Sequence, residues 1–439
     1  MTDTAALSET AGLSNAAGQT NAAPFPRVNG ARLWASIMES AAIGATPRGG
    51  LCRLTLSDED RRVRDWFRRH CEAAGCAVTV DSMGNIFGRR AGRDPSLPPI
   101  AIGSHLDTQP TGGRFDGILG VLAGLEVIRT LNDFNWVTEA PIEVVDWTNE
   151  EGSRFAPAML CSGVFAGVFT GEYAYSREDR SGLRFEAELA RIGYQGSVAC
   201  GSHRLGAHFE LHIEQGPVLE DEAKTIGVVT GIQGMKWYEV TIRGVEAHAG
   251  TTPMRLRHDA LLGSSRLVAA VNDVALAHAP DAVGTVGLLE SRPNSRNTVP
   301  GSVFMTVDLR NPDNAVVEQM EAEVRARAAR IAAEAGLNIE MRCVWNSPAV
   351  HFDRGCIDAV RRAAAAAGYP HRDIVSGAGH DSGYIARVAP TAMVFIPCAT
   401  GLSHNEEESA SQSDVAAGAG VLLRAVLDTD RRLAAGRGS

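Results

Sequence analysis

Between residue 29 and about residue 222, short apolar runs alternate with longer stretches whose apolar residues recur at helical spacing. Residues 58–75 are charged and arginine-rich with an apolar face, and predict a helix. Residues 76–80 and 85–88 predict short strands. Residues 99–103 form a short buried-type strand that ends in Ser-His. A helix begins at Asp116, with Ile118, Val121, Leu122, Leu125 and Ile128 on one face. Residues 141–147 and 207–212 are two further buried-type strands. Alternation of this kind predicts an α/β domain whose mostly parallel sheet is covered on both faces.

The rhythm then changes. Residues 237–243 alternate as a strand, and 259–278 are helical with Leu261, Val268, Val271 and Ala275 on one side. Residues 284–289 and 303–309 predict strands. Residues 314–335 are helical, with Val317, Met320, Val324 and Ile331 along one face, and 338–343 close the set. The order is β-α-β-β-α-β, a self-contained module with an antiparallel sheet, inserted into the α/β domain. The chain then returns to α/β with a helix at 357–367, a strand at 391–396 and a final helix at 415–433.

Composition narrows the class. The chain has 439 residues, 44% hydrophobic and 21% charged, as a folded protein of two or three domains would. A net charge of -10 without a long basic run argues against a nucleic-acid partner. No window approaches the ~20 apolar residues of a membrane span. The first 28 residues, rich in Ala, Ser, Thr and Asn, read as a disordered tail rather than a signal peptide. Eight scattered cysteines without a CxxC pair fit a reducing compartment, the cytoplasm.

Five places put metal-competent side chains just beyond an apolar strand, where open α/β sheets bind ligands. They are Ser104-His105-Leu106-Asp107, Arg114-Phe115-Asp116, Asn149-Glu150-Glu151, Glu210-Leu211-His212 through Gln215, and Ser403-His404. Singly, each has a simpler reading. His105 suits a hydrogen-bonded histidine, Asp107 a turn and Asp116 a helix N-cap. Glu150 and Glu151 suit a helix start, and His404 a surface loop. Together, three histidines with Asp and Glu suit a pair of zinc, manganese or cobalt ions better than one closed structural site.

The segments GSHLDTQPTGGRFDGILGV, WTNEEGSRF, ELHIEQGPVLE, AHAGTTPM, PNSRNTVPG, SGAGHDS and GLSHNE, spread over residues 103–406, resemble the M20 metallopeptidase-like superfamily. Within it they resemble the N-carbamoyl-L-amino acid hydrolase, β-ureidopropionase and allantoate amidohydrolase branch. The resemblance implies a catalytic domain of residues 29–229 and 342–436, with 230–341 as lid and dimerisation domain. It implies a homodimer and two divalent ions per chain, zinc first, with manganese, cobalt or nickel as alternatives. His105 and His212 resemble the ligands of one ion, Glu151 and His404 those of the other, and Asp116 the bridge. A histidine at 212 is the branch's mark; many peptidase relatives carry a carboxylate there.

The same resemblance assigns the remaining roles. Asp107 resembles the acid that orients the His105 ring. Glu150 resembles the general base, a task worth ~10² to 10⁴ in rate. His248 resembles the donor that stabilises the developing oxyanion, in reach of its own site or the partner subunit's. Asn297 and Arg310 resemble the grip on the substrate carboxylate. Gln215 resembles a contact to the ureido amide, and Gly379 and His380 belong to a segment lining the substrate. In that segment Ser382 stands where the commoner form has alanine, a departure that bears on the pocket. The implied reaction cleaves the ureido C–N bond of N-carbamoyl-L-amino acids or N-carbamoyl-β-alanine to amino acid, carbon dioxide and ammonia. An allantoate-type hydrolase is the alternative; a peptidase or deacylase lies further off.

Overall fold

The computed structural model describes residues 25–435. Most of the expected tail, residues 1–24, lies outside the described residues. Its end does not hang free: Phe25 and Val28 pack on the main core, and the Phe25 ring lies 6.0 Å from that of Trp136.

A nine-stranded sheet organises the larger part of the chain. Its centre is parallel: Ile142–Asp146, Ile100–Ser104, Ala207–Ile213 and Thr391–Ile396 run side by side in that order. Antiparallel strands flank them, Ala77–Val80 and Ile86–Arg90 on one side and Ile226–Ile232 on the other. The four central strands are buried at every position, which is why they read as continuous apolar runs and not as alternation. Ile102, Val144 and Leu211 join the core beneath the long helices Ile118–Asp133, Arg354–Ala367 and Gln412–Ala435. Ala101 and Val145 face the other way, under Phe165 and Ile385.

The helical start at Asp116 is corrected by two residues. Gly117 caps the helix Ile118–Asp133 from a left-handed conformation, φ 73°, and no side chain caps it. The Asp116 carboxylate is therefore free for other partners.

The second unit has its own sheet and core. Strands Leu289–Arg292, Ser302–Asn311, Gly234–Arg243 and Asn338–Ser347 lie in that order, all antiparallel, with Val283–Thr285 also pairing on Ser302–Asn311. The single strand expected at 284–289 is thus two short ones. Helices Ala260–Ala277 and Asn314–Ala335 cover one face. Strand Ile226–Ile232 still belongs to the large sheet, and Asn338–Ser347 stays in the small one to residue 347. Ala260–Ala277 is apolar, but at 18 residues it is short of the ~20 of a membrane span. Leu267, Val271 and Val274 sit in the small core.

Charge pins the helix Asn314–Ala335 to this sheet. Lys236, nearly buried, donates to Glu318 at 2.6 Å and Glu321 at 2.8 Å, and Arg325 reaches Glu321 at 2.7 Å. Burial works against the Glu321 carboxylate, but the hydrogen bonds from Lys236 and Arg325 outweigh it and hold its pKa at about 2. A folded pKa below the free value of 4.5 gives stability that is complete above that pH and lost as pH falls through 2. Glu321→Gln is therefore expected to shrink the gap in thermal midpoint between about pH 7 and about pH 3, read by circular dichroism. An unchanged gap would mean that the ion pairs contribute nothing.

Candidate metal centre

Strands Ile100–Ser104, Ile142–Asp146 and Ala207–Ile213 end at one crevice, and the loop after Thr391–Ile396 returns to it. Each delivers one part of a cluster around Asp116. Asp116 Oδ1 lies 3.0 Å from His212 Nε2 and 3.6 Å from His105 Nε2. Its Oδ2 lies 3.4 Å from His404 Nε2, which is itself 3.5 Å from Glu151 Oε2. The five residues singled out as ligands therefore meet in two groups that share Asp116. In each group the donor atoms lie within 4.8 Å of one another.

The rings are held from behind. His105 Nδ1 donates to the Asp107 carbonyl and His212 Nδ1 to the Ile213 carbonyl, both at 2.9 Å, so each ring turns Nε2 toward Asp116. The Asp107 carboxylate, expected to orient this ring, lies 3.9 Å from it. That carboxylate instead accepts from the Thr55 hydroxyl at 2.6 Å and from the amides of Glu150 and Glu151 at 3.2 and 3.3 Å. It holds the turn that carries both glutamates, which form no helix.

The donor set fits divalent cations. Asp116, Glu150 and Glu151 converge with Asp107 and Asp381, and all but the half-buried Glu151 are buried. Among the described residues, the ion-pair partners of Asp116, Glu150 and Glu151 are histidines alone. Burial pushes the Glu150 carboxyl well up, and the charges of Asp381, Glu151, Asp107 and Asp116 push it further. Burial does the same to Glu151, with Asp116 and Asp107 adding to it. Burial opposes protonation of His212, but the hydrogen bond and charge of Asp116 win and raise its pKa to about 9. A site that draws protons onto both its acids and its imidazole is short of positive charge, and carboxylate oxygens with imidazole nitrogens are what zinc, manganese and cobalt bind.

Glu150 stands apart from the two donor groups, with Oε2 3.5 Å from His105 Nε2. Asn149, Met159, Gln215 and His404 all adopt left-handed backbone, φ 53° to 61°, without being glycine. Strain of this kind costs about 1–3 kcal/mol per residue and gathers where geometry serves a site.

The expected binding residues divide. Gly379, His380, Gln215 and Arg310 line a cavity of about 550 Å³ that opens from the cluster and continues against the small sheet. Gln215 donates to Asp116 Oδ2 at 3.0 Å. Arg310 is held by Asp308, at 2.7 and 3.0 Å, and donates to the Gly377 carbonyl at 2.9 Å, so it ties the small unit to the loop before His380. His248 and Asn297 lie elsewhere. His248 pairs with Thr298 in a two-stranded ribbon, is exposed, and accepts from Gly250 at 3.0 Å; Asn297 is exposed beside it. Ser382 points away from the cavity. It donates to Glu210 at 2.6 Å, and Glu210 also accepts from Ser104 at 2.7 Å.

Two supporting residues escaped the sequence reading. Buried Glu408 accepts from the amides of Phe115 and Asp116, both at 3.0 Å, and from Ser403 at 3.0 Å. Gln109 holds both oxygens of Glu151, at 2.7 and 3.0 Å. Glu408 follows His404 in a run of three acids, which was the available signal.

Comparison with known proteins fits this geometry. The profile of Peptidase family M20/M25/M40 matches residues 101–428, and the chain belongs to this family of metal-dependent hydrolases. Its relatives define the branch more narrowly. An N-carbamoyl-L-amino-acid amidohydrolase of Rhizobium meliloti is 52% identical over 92% of this chain and 97% of the relative. A ureidoglycolate hydrolase of Arabidopsis thaliana is 34% identical over 90% and 85%. The crystal structure of a hydantoinase/carbamoylase family amidase from Burkholderia multivorans is 60% identical, covers 92% of this chain and 98% of its own, and superposes with a TM-score of 0.90. The chain falls in the carbamoylase branch of the family.

Gly117 is a tight joint of the cluster. A Cβ there would lie 2.3 Å from His105 Cε1, and φ is 73°. Gly117→Ala is expected to fold yet lose ~10–100-fold in divalent-metal affinity, because the ring must swing away from Asp116. Metal content after dialysis against dilute zinc reads the effect; normal retention would show that the ring has room.

Proposed function

We propose that this chain is a metal-dependent amidohydrolase that cleaves the ureido C–N bond of N-carbamoyl amino acids, giving the amino acid, carbon dioxide and ammonia. The observation that carries this reading is Asp116, whose two oxygens each face a separate donor set, with Glu150 beside them. His105 and His212 would hold one divalent ion, Glu151 and His404 a second, and Asp116 both, with zinc first and manganese, cobalt or nickel as alternatives. When bound, such a pair polarises a carbonyl and lowers the pKa of water from about 15.7 toward neutrality.

The chain's own residues supply the rest. Glu150 takes the proton of the attacking water and returns it to the leaving nitrogen. Gln215 orients the ureido amide from beside Asp116. Arg310, fixed at the cavity wall, receives the substrate carboxylate in competition with Asp308. Eight unpaired cysteines support a reducing compartment, the cytoplasm.

Residues 230–341 act as lid and dimerisation unit in this reading. Support comes from the cavity, which both units line, and from Met254, Leu256, Leu261, Leu276 and Leu288, which the small unit exposes. His248 and Asn297, outside their own cavity, would complete the site of the partner subunit.

The direct test is ammonia release from N-carbamoyl-L-amino acids, N-carbamoyl-β-alanine, allantoate and ureidoglycolate with zinc, manganese or cobalt. Turnover of the carbamoyl amino acids is expected, with Glu150→Gln retaining metal and losing ~10² to 10⁴ in rate. Turnover of the other ureides alone would move the assignment to them. For the dimer, His248→Ala and Glu150→Gln chains, each inactive alone, should recover about a quarter of wild-type activity when refolded together. No recovery on mixing would place His248 in its own chain's site.

A further inference from the structure

The cavity has a wall that the reaction does not use. Beyond the ligand cluster it is lined by Met159, Met235, Trp237, Trp345 and Tyr384. Trp237 is 43% exposed, a high value for a tryptophan within a sheet, and its ring lies 6.3 Å from that of Trp345.

One irregularity puts both indoles on this wall. In the small sheet Ile339, Met341 and Cys343 pair with Ile242, Val240 and Tyr238, on the face that the helices cover. Strict alternation would carry residue 345 to that face as well. The register shifts between Cys343 and Trp345, so Val344 is the extra residue and Trp345 pairs with Trp237 instead. Past the shift, Trp345 and Ser347 face the cavity opposite Trp237 and Met235. A bulge that re-aims a side chain beside a site is a recurrent device. Here it turns a second, half-buried indole toward the cavity, at a cost in apolar surface left in water.

We propose that Trp237 and Trp345, with Met159, Met235 and Tyr384, form the subsite for a bulky apolar or aromatic side chain of the N-carbamoyl amino acid. This rests on the carbamoylase reading and narrows it. The ureido group lies at the ligand cluster, the carboxylate at Arg310, and the side chain against the indoles. N-carbamoylglycine and N-carbamoyl-β-alanine have no side chain to set against this wall. The two tryptophans are specificity-determining residues; they take no part in proton transfer.

The test is the ratio of kcat/KM for N-carbamoyl-L-phenylalanine to that for N-carbamoylglycine, by ammonia release from the metal-loaded enzyme. The wild-type ratio should exceed unity by about tenfold or more, as apolar pockets discriminate. The Trp237→Ala, Trp345→Ala double variant should lower it about tenfold or more, and Trp345→Phe should keep most of it. A wild-type ratio at or below one overturns the subsite, and does so without any variant. So does an unmoved ratio in a double variant whose circular dichroism matches the wild type. A preference for N-carbamoyl-L-glutamate would also overturn it, assigning the wall to Arg387, which stands over the Tyr384 ring at 5.9 Å. If no carbamoyl compound releases ammonia, the underlying carbamoylase assignment fails, a result distinct from slow but even turnover of all of them.

Discussion

Three imidazoles share one carboxylate, and the rest of the molecule is arranged to make that possible. Asp116 is buried, touches His105 and His212 through one oxygen and His404 through the other, and has further acids around it. Such a group survives burial only if opposite charge reaches it. The imidazoles supply part of that charge, and the upward push of burial on the Glu150 and Glu151 carboxyls points to the need for more. The electrostatics thus favour a bound cation as much as the ligand set does.

Precision in the cluster comes from a repeated device. Carboxylates accept from backbone amides of a neighbouring loop and so fix one loop against another. Asp107 holds residues 150 and 151, Asp146 holds Leu106 at 3.0 Å, and Glu408 holds residues 115 and 116. Buried Arg64, on the helix Asp58–Ala73, pairs with Asp60 of the same helix at 2.9 Å and ties that helix to this region through Asp146, at 3.3 Å. Loops are the mobile part of most folds; here the acids that lock them come from strand ends and loop positions adjacent to the ligands.

Sequence legibility followed burial. The central parallel strands stand out because both their faces are covered, and the polar residues just after them could be singled out by contrast. Strand His371–Ser376 is half exposed and polar, so it carried no such mark, and Ile226–Ile232 runs almost straight into the next strand. The helices Leu160–Phe165 and Asp381–Ile385 are too short for a helical period to emerge. Asp116 sits where an N-cap would, and only the left-handed Gly117 makes it something else. The sites of His248 and Asn297 depend on how a ribbon projects from the small unit, which local pattern does not encode. The bulge at Val344 was hidden for the same reason: periodicity sees residues along one strand, not the partner that sets their register.

Strand Asn338–Ser347 lies at the border of its sheet, hydrogen-bonded to Gly234–Arg243 alone, whereas the strands bearing the ligands are bonded on both sides. Gaining or losing one residue in a border strand disturbs a single ladder; the same change in a central strand breaks two. The fold thereby keeps its invariant chemistry and its adjustable recognition on separate pieces of framework. Evolution can retune what enters the cavity by small changes in chain length at the margin, while the cation cradle is left alone.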